Sequence, residues 1–286
     1  MIRVLRIQFT TTLSPEHLAA VRVNLNEPFV VECPGAAGGV FDSAGQSSAP
    51  SISANPMAGP ISVNGIKSGD FLAIEIKTID AVGFGKSGNV VFQPDGDQLR
   101  FLNGLSVPAA ASLGCIGVSP RLIIDATDNG TCGSHGGNID CRDVAAGATV
   151  IFRARVDGAN LGFGDAHLAM GDGELTGQGV ESAVNAEIVV RRAAFIGLEW
   201  PLIIRNGEIM TLGANADFRI AQRIAYEEMM TLGRTFYNLE RSEMNARISV
   251  AGHLRVCQSC CAKFTVRLAL PVSLLSSSGL LPVENS

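Results

Sequence analysis

Short apolar runs separated by polar, glycine-containing turns occupy most of the chain. Val, Ile and Phe are frequent in these runs, and Gly, Pro, Asn or Asp bounds them, which is the pattern of β-strands. The runs read VRVNL, FVVE, ISVNGI, FLAIEIKTI, VVF, RLIID, ATVIFRARV, AEIVVRR and WPLIIRNG. In FLAIEIKTI the alternation predicts one buried face, with Glu75 and Lys77 on the other.

Helical spacing appears only toward the C-terminus. No helix-length periodic segment separates the apolar runs before residue 214, which favours an antiparallel sandwich or barrel over a doubly wound sheet. The segment ADFRIAQRIAYEEMMTLGRTF then predicts a helix that is capped by Asn215 or Asp217. LERSEMNARISVAG predicts a second helix that ends at Gly252, and FTVRLALP predicts a last strand.

The predicted fold class is therefore mainly β, with sandwich-like or barrel-like lobes and a C-terminal helical hairpin, so that it is α+β in part. We expect residues 1–286 to form a single unit. If that unit divides, an N-terminal β lobe would cover 1–125 and a site-bearing β lobe 126–286, with the helices near 215–251.

Composition restricts the location and the partners of the protein. The 286 residues are 47% hydrophobic, which is enough for a large core, and the net charge of -5 includes no block of like charges, so no nucleic-acid partner is expected. The apolar runs are shorter than the ~20 residues of a membrane span, and MIRVLRIQFTTT contains two arginines, which argues against membrane association and a signal peptide. Seven cysteines, an odd number in a large chain, favour reduced thiols and a cytoplasmic protein.

The segment LGFGDAHLAMGDGE (161–174) contains residue types that bind metals or transfer protons. In a strand, Asp165 and His167 would lie on one face, and the GDGE turn would return Glu174 to them. We expect both glycines of that turn to have a positive φ. Carboxylate and imidazole ligands together suit zinc, iron or manganese better than calcium. Glycine and aspartate also form ordinary hairpin turns, so this segment alone does not establish a site.

A second cluster lies in TDNGTCGSHGGNIDCRD (127–143), after the strand RLIID. It places His135, Asn138 and Asp140 in a glycine-rich, acid-rich turn, and the strand ATVIFRARV connects this turn to the first segment. Two of the four histidines therefore lie in such turns. The two turns can converge on one pocket if they end a strand pair or flank a crossover between neighbouring strands.

Several segments resemble the acetamidase/formamidase family. HGGNID followed by GDAHLAMGDGE is similar to two of its motifs, and NPMAGPISVNGIKSGDFLAIEI, CIGVSP and ISVAGHLRVCQ are similar to three more, so the resemblance covers roughly residues 50–272. It implies β-rich lobes with a helical segment near the end, self-association into homo-oligomers, and hydrolysis of short-chain amides such as formamide or acetamide to a carboxylic acid and ammonia. The polar site that it implies consists of Asn138, Asp140, Asp165, His167 and Glu174.

Amide hydrolysis at such a site is expected to use a metal-activated water. We expect a divalent metal, with zinc favoured, held by Asp140 and His167 together with Asp165 or Glu174. Glu174 is the expected general base, which takes the proton of the water and later gives it to nitrogen.

Contacts to the small-molecule amide are expected from the second cluster. Asn138, or an N–H group of Gly136 or Gly137, would contact the carbonyl oxygen. His135 stands beside them as a further candidate for substrate binding, in a position where many members of the resembled family have another residue.

Cysteine chemistry is the competing interpretation. Cys132 and Cys141 flank His135 and would allow a cysteine nucleophile, although single cysteines are more often inert apolar residues. CQSCC (257–261) contains a CxxC half-site for zinc with His253 four residues before it. We favour ordinary thiols in a turn before the last strand.

The N-terminal segment departs from the family pattern. Residues 1–42 contain no tryptophan and only one histidine, His17, and His253 replaces the usual aspartate of the ISVAGHLRVCQ segment. The alternative function is therefore a catalytically altered family member that acts as a binding or structural oligomer, or a hydrolase of another linear C–N bond.

Overall fold

The computed structural model describes residues 1–50, 52, 55–101, 104–276, 278–279 and 281–283. Its first ten strands are β1 (Ile2–Val4), β2 (Phe9–Thr10), β3 (Thr12–Leu13), β4 (Val21–Val23), β5 (Phe29–Cys33), β6 (Met57–Val63), β7 (Phe71–Ser87), β8 (Val90–Asp95), β9 (Gln98–Phe101) and β10 (Ser106–Pro108). The later strands are β11 (Ser112–Gly117), β12 (Thr127–Asp128), β13 (Gly136–Asn138), β14 (Thr149–Arg153), β15 (Leu161–His167), β16 (Glu181–Ala193), β17 (Leu202–Arg205), β18 (Glu208–Asn215), β19 (His253–Gln258) and β20 (Phe264–Pro271). Helices α1 (Phe218–Thr235) and α2 (Arg241–Ala251) lie between β18 and β19, and 3-10 turns cover Ile123–Asp125 and Val272–Leu274. The prediction of a strand at RLIID is wrong, because its last three residues form the first of these 3-10 turns.

Antiparallel pairing dominates the sheet structure. Within the described ranges, eighteen strands are linked into one sheet, and β3 and β12 form a separate pair. The two longest strands, β7 and β16, pair along most of their length. β5 and β7 precede residue 125 and both pair with β16, which follows it, and the division into two lobes stays a prediction. The mainly β fold class with helices near the C-terminus is confirmed.

The start of β7 lies between two hydrophobic cores. Leu72 and Ile74 belong to the larger core, which the strands form, whereas Phe71 and Ala73 belong to the smaller core beneath the helices. Alternate side chains of a strand point to opposite faces, so both faces of this segment are buried. The predicted polar face therefore begins only at Glu75, and the expectation of one buried face is wrong for the first four residues of the strand.

Local sequence fixes both ends of the helical hairpin. The Asp217 carboxylate accepts hydrogen bonds from two N–H groups of the first turn of α1, as one of the two predicted caps. Glu240 and Glu243 form a capping box at the start of α2, which ends before Gly252 as predicted. Among the helices of the described residues, none has the length and the apolar character needed to cross a membrane.

Glu228 couples α1 to the segment that precedes β17. Its carboxylate accepts the N–H groups of Glu199 and Trp200, both at 3.1 Å, and burial raises its pKa to about 7. Since this folded-state pKa exceeds the ordinary value of a glutamate, the folded protein binds the proton more tightly than the unfolded chain does. The stability that protonated Glu228 contributes is therefore complete at low pH and is lost as the pH rises through about 7.

We expect Glu228→Gln to weaken the dependence of the unfolding free energy on pH. The variant should be more stable than the wild type at about pH 8, by roughly 1–3 kcal/mol, and similar to it at about pH 5. Urea unfolding at the two pH values measures the difference. Glu227→Gln, on the exposed neighbour in α1, is the control and should shift stability equally at both. Parallel pH dependences for Glu228→Gln and the wild type would contradict the prediction.

Candidate active site

Strand β11 brings the two predicted segments together. It pairs antiparallel with β13 on one side and with β15 on the other, so that Cys115 lies opposite both Asn138 and Gly164. The Gly114 carbonyl accepts the N–H group of Asp140 at 3.1 Å. The two turns thus converge because their strands share one neighbour.

Four carboxylates surround the imidazole of His167. Asp140, Asp165 and His167 offer ligand atoms that all lie within 4.8 Å of one another, and His167, Glu174 and Glu181 do the same. His167 Nε2 lies 3.0 Å from Glu181 Oε1 and 3.7 Å from Asp165 Oδ1. The four residues predicted as metal ligands, together with Glu181, therefore form two overlapping triads that share His167. We call these five residues the carboxylate–histidine cluster.

Burial changes the acid–base properties of this cluster. Burial and the charge of Asp165 raise the pKa of Asp140 well above its usual value, and burial and the charge of Glu181 raise the pKa of Asp165 to about 7. The pKa of Glu174 is also raised, chiefly by burial. For His167, burial favours the neutral ring, but the charges of Glu181 and Asp165 outweigh it and raise the pKa. The cluster thus retains protons that exposed carboxyl groups would lose.

Three carboxylate residues of the cluster have a left-handed backbone. The φ angle is 46° at Asp140, 51° at Asp165 and 42° at Glu174. Such values are uncommon for residues other than glycine, and they tend to occur at functional sites, where the surrounding structure enforces them. Because Asp165 lies within β15, its approach to His167 does not follow from the regular alternation that the sequence analysis assumed.

The GDGE turn bends at one of its two glycines. Gly173 has a φ of 89°, as predicted, whereas Gly171 is not among the residues with a positive φ, so that part of the prediction is wrong. The backbone carbonyl of Gly173 accepts the N–H group of Ser259 at 2.9 Å. The left-handed pair of Gly173 and Glu174 turns the chain back toward His167.

Asn138 orients a carboxylate of the cluster. Its Nδ2 donates to Asp140 Oδ2, and its Oδ1 accepts from Asn55 Nδ2 at 3.0 Å and from Cys115 Sγ at 3.0 Å. Asn55 Nδ2 also lies 3.2 Å from Asp165 Oδ2. Both polar atoms of the Asn138 side chain are therefore engaged, which makes it a residue that positions Asp140.

Two residues of the site were missed by the sequence analysis. Glu181 lies opposite His167 in the β15–β16 ladder. The predicted strand AEIVVRR begins five residues later, so the sequence did not predict that Glu181 pairs with His167. Asn55 lies in the NPMAGP segment, which supported the resemblance without being assigned a role. A strand extended to Glu181 would have placed that carboxylate beside the histidine.

Of the predicted substrate-binding residues, His135 lies in the turn before β13, and Gly136 and Gly137 are the first two residues of that strand. The Gly136 N–H group donates to the Gly133 carbonyl at 3.0 Å, so it is not free to contact a substrate in this conformation. At Gly136 and Gly137, φ is 91° and 86°, and an added Cβ would lie 2.2 and 2.3 Å from backbone carbonyl oxygens. Burial and the charge of Lys263 lower the pKa of His135 to about 4. A role of these residues in substrate binding stays a prediction.

The two buried cysteines that flank His135 differ in acidity. Burial raises the pKa of Cys132 to about 12, which disfavours a thiolate there. At Cys141, burial is outweighed by a hydrogen bond with Cys257 and by the charge of Arg267, which lower the pKa, so a cysteine nucleophile stays the competing prediction. The CQSCC segment ends β19 and enters the turn before the last strand, as predicted. That this turn reaches the cluster was not foreseen: Gln258 Nε2 donates to the Asn138 carbonyl at 2.8 Å.

A buried arginine holds the two site-bearing turns together. Arg267, on β20, is 1% exposed, and its guanidinium lies 2.7 Å from Asp143 Oδ2 and 2.8 Å from Asp172 Oδ1. Asp143 follows Asp140 by three residues, and Asp172 precedes Glu174 by two. These two aspartates were part of the acid-rich segments in the sequence, and the structure assigns them to Arg267.

A sequence profile of the acetamidase/formamidase family matches residues 125–194, which include all five residues of the carboxylate–histidine cluster. A recombinant predicted acetamidase/formamidase from Thermoanaerobacter tengcongensis is 27% identical, with a TM-score of 0.89 over 98% of both chains. An acetamidase from Bacillus halodurans is 27% identical, with a TM-score of 0.87 over 98% of this chain and 100% of the other.

An acetamidase from Yersinia enterocolitica is 23% identical and supports the fold alone, with a TM-score of 0.85 over 96% of this chain and 93% of the other. A search of curated proteins found no significant match. The similarity therefore extends over the fold as a whole, and the profile match is confined to the part that contains the cluster.

Gly114 leaves the space in which the cluster assembles. A Cβ added there would lie 2.5 Å from Asp140 Oδ1, 2.7 Å from the Asp165 carbonyl oxygen and 2.8 Å from His167 Cε1. We expect Gly114→Ala to displace these groups, to lower the affinity for zinc by at least about tenfold and to destabilise the fold by about 1–3 kcal/mol. Titration calorimetry and thermal unfolding measure the two effects.

Gly171→Ala is the matched control for this prediction. A Cβ at Gly171 would meet no atom within 4 Å, although the residue lies in the turn that carries Glu174. The control should bind zinc like the wild type. Equal zinc affinity in the two glycine variants would show that the cluster does not depend on the space at Gly114.

We expect Arg267→Met to destabilise the fold by about 3–5 kcal/mol, because it leaves Asp143 and Asp172 without their buried partner. Arg255, the cross-strand neighbour of Arg267 in β19, forms an ion pair with Glu208 that is more exposed, and Arg255→Met should cost less than about 1 kcal/mol. Urea unfolding compares the two variants. Similar losses of unfolding free energy in the two variants would indicate that Arg267 does not anchor the two turns.

Proposed function

The resemblance to the acetamidase/formamidase family is confirmed, and on this premise we propose that the chain hydrolyses short linear amides, such as formamide or acetamide, to the carboxylic acid and ammonia. The family match supports amide hydrolysis in general. The observation that carries the proposal is the buried carboxylate–histidine cluster, because amide hydrolysis needs an activated water, stabilisation of the developing oxyanion and a proton for the departing amine.

The donor set of the cluster fits a divalent cation. In the described part of the chain, Asp140 Oδ1 and His167 Nδ1 are buried without a hydrogen-bond partner. Carboxylates crowd around the imidazole within 4.8 Å, and a cation would offset the repulsion that raises the pKa of Asp165. Carboxylate and imidazole ligands suit zinc, which is the cation that we propose.

Asp140, Asp165 and His167 are the residues that we propose to hold the cation. When bound, such a cation lowers the pKa of a coordinated water and polarises the amide carbonyl. Asn138 positions Asp140 by its hydrogen bond, and Glu181, hydrogen-bonded to His167 Nε2, fixes the orientation of the ring.

Glu174 is the proposed general base. It is 7% exposed, whereas the three proposed ligands are 0–3% exposed, so Glu174 is less buried than the residues that would hold the cation. Its raised pKa lies nearer to neutrality than that of an ordinary glutamate, as suits a group that takes a proton from the attacking water and returns it to the amine nitrogen. The charge of a protonated His167 attracts the Glu174 carboxylate, whereas the like charge of Glu181 repels it.

One of the departures from the family pattern lies at the surface. His253, which stands where the family has an aspartate, is exposed at the first position of β19. Homo-oligomeric assembly and a cytoplasmic location stay predictions from the sequence analysis.

Ammonia release from formamide, acetamide and propionamide tests the proposed function. The protein is stripped with a chelator, and zinc or manganese is then added back. We expect release that is lost on stripping and restored by the cation. Absence of release with every cation and amide would contradict amide hydrolysis and favour the binding or structural oligomer.

Glu174→Gln tests the proposed base in the same assay. We expect kcat to fall by about 10²–10⁴-fold, because the glutamine side chain cannot accept the proton of the attacking water. Glu27→Gln, on an exposed glutamate that is hydrogen-bonded to Asn24, is the matched control and should keep wild-type activity. A Glu174→Gln variant that retains full activity would show that another group is the base.

A further inference from the structure

A bridge of side-chain amides connects two carboxylates of the cluster that lie on different segments. Asn55 Nδ2 lies 3.2 Å from Asp165 Oδ2 and donates to Asn138 Oδ1 at 3.0 Å. Asn138 Nδ2 donates in turn to Asp140 Oδ2. The two amides therefore form one chain of hydrogen bonds that runs from the Oδ2 atom of Asp165 to the Oδ2 atom of Asp140.

The bridge engages one oxygen of each aspartate and leaves the other for a different partner. Among the described residues, none donates a hydrogen bond to the buried Oδ1 atom of Asp140. Asp165 Oδ1 lies 3.7 Å from His167 Nε2. Since these three residues offer ligand atoms within 4.8 Å of one another, the Oδ1 atoms are left to bind a cation beside the imidazole.

The backbone of Asn55 is held from two sides. Its carbonyl accepts a hydrogen bond at 3.0 Å from Nδ2 of Asn129, which is fully buried. On the other side, Met57 pairs with Gly164, the residue before Asp165. The φ angle of Asn55 is 42°, a left-handed value that asparagine adopts more readily than most residues. The Asn55 amide is thereby preorganised to meet the Asp165 carboxylate.

Cys115 is the neighbouring donor at this bridge. Its Sγ lies 3.0 Å from Asn138 Oδ1 and 3.5 Å from Asp165 Oδ2. A thiol has one proton, so it can serve one of these acceptors at a time, whereas the Asn55 amide has two N–H donors and can serve both. Asn55 is therefore the residue that links the two acceptors.

We propose that Asn55 is a positioning residue of the cation site, which occupies Oδ2 of Asp165 as Asn138 occupies Oδ2 of Asp140, so that each aspartate binds the cation through Oδ1 alone. This inference rests on the cation site of the proposed function. Hydrogen bonds to a ligating carboxylate fix its orientation, and their loss costs about 10–100-fold in metal affinity. Without the Asn55 amide, the Asp165 carboxylate can rotate, and both the affinity and the coordination geometry of the site change.

Asn55→Gly tests the inference, because glycine keeps the left-handed backbone and removes the amide. Calorimetric titration of the metal-free protein measures the zinc affinity, and the visible absorption bands of the Co²⁺-loaded protein report the coordination geometry. We expect the zinc affinity of Asn55→Gly to fall by about 10–100-fold. We also expect its cobalt bands to differ from those of the wild type in position and intensity.

Asn206→Gly is the matched control. Asn206 is an exposed asparagine in the turn between β17 and β18, and its φ angle of 50° is also left-handed. This variant should keep the zinc affinity and the cobalt spectrum of the wild type. Circular dichroism establishes that each variant is folded. If Asn55→Gly does not fold, Asn55→Ser takes its place, because one shorter hydroxyl group cannot serve both acceptors.

The two measurements separate this inference from the proposed function. If the wild type binds zinc, an unchanged zinc affinity or an unchanged cobalt spectrum in Asn55→Gly would overturn the role of Asn55 and leave the proposed function intact. Equal changes in Asn206→Gly would overturn it as well. Absence of zinc and cobalt binding in the wild type would instead contradict the cation site on which the inference rests.

Discussion

Repulsion among buried carboxylates is the constraint on which the rest of the site depends. Within each triad of the cluster the ligand atoms lie within 4.8 Å of one another, and two carboxylates at that distance repel by about 3 kcal/mol at an effective dielectric constant of ~20. Burial adds a desolvation cost for each charge. The raised pKa values of Asp140, Asp165 and Glu174 follow from these two terms, and the charge of a protonated His167 offsets only part of them.

The fold holds these groups together because each is anchored at its backbone. β11 carries a neighbour strand on either side, and the absence of a side chain at Gly114 leaves room for the carboxylate and the ring. Arg267 ties the turn that follows Asp140 to the turn that carries Glu174. Left-handed φ angles at the carboxylate residues are sparsely populated conformations, and they persist here because these contacts enforce them.

Local pattern was enough to predict much of this architecture. Most of the predicted strands, the Asp217 cap and the helix end at Gly252 depend on neighbouring residues, and so they are visible in the sequence. The predicted strand RLIID and the unpredicted strand β11 are exceptions. Asp165 and His167 were predicted to meet, although the left-handed backbone at Asp165 means that simple alternation is not the reason. Burial of both faces at the start of β7 was not predictable, because it depends on helices that are distant in sequence.

Long-range contacts account for what the sequence did not reveal at the site. Glu181 joins the cluster only through the register of β15 with β16, and the turn after β19 reaches Glu174 only because it docks on Gly173. Residue types could suggest a metal site with Asp140, Asp165, His167 and Glu174, but the split into two triads around His167 is a property of the packed sheet. Asp143 and Asp172 show the reverse case, since acidic residues in the same segments serve a structural ion pair.

The proposed cation would take the place of protons in this buried cluster. Calorimetric titration of the metal-free protein with zinc at about pH 7, in buffers that differ in ionisation enthalpy, counts the protons released on binding. We expect saturable zinc binding with release of protons in the wild type, and the loss of both in His167→Ala. Binding without proton release, or binding that is undiminished in His167→Ala, would contradict it.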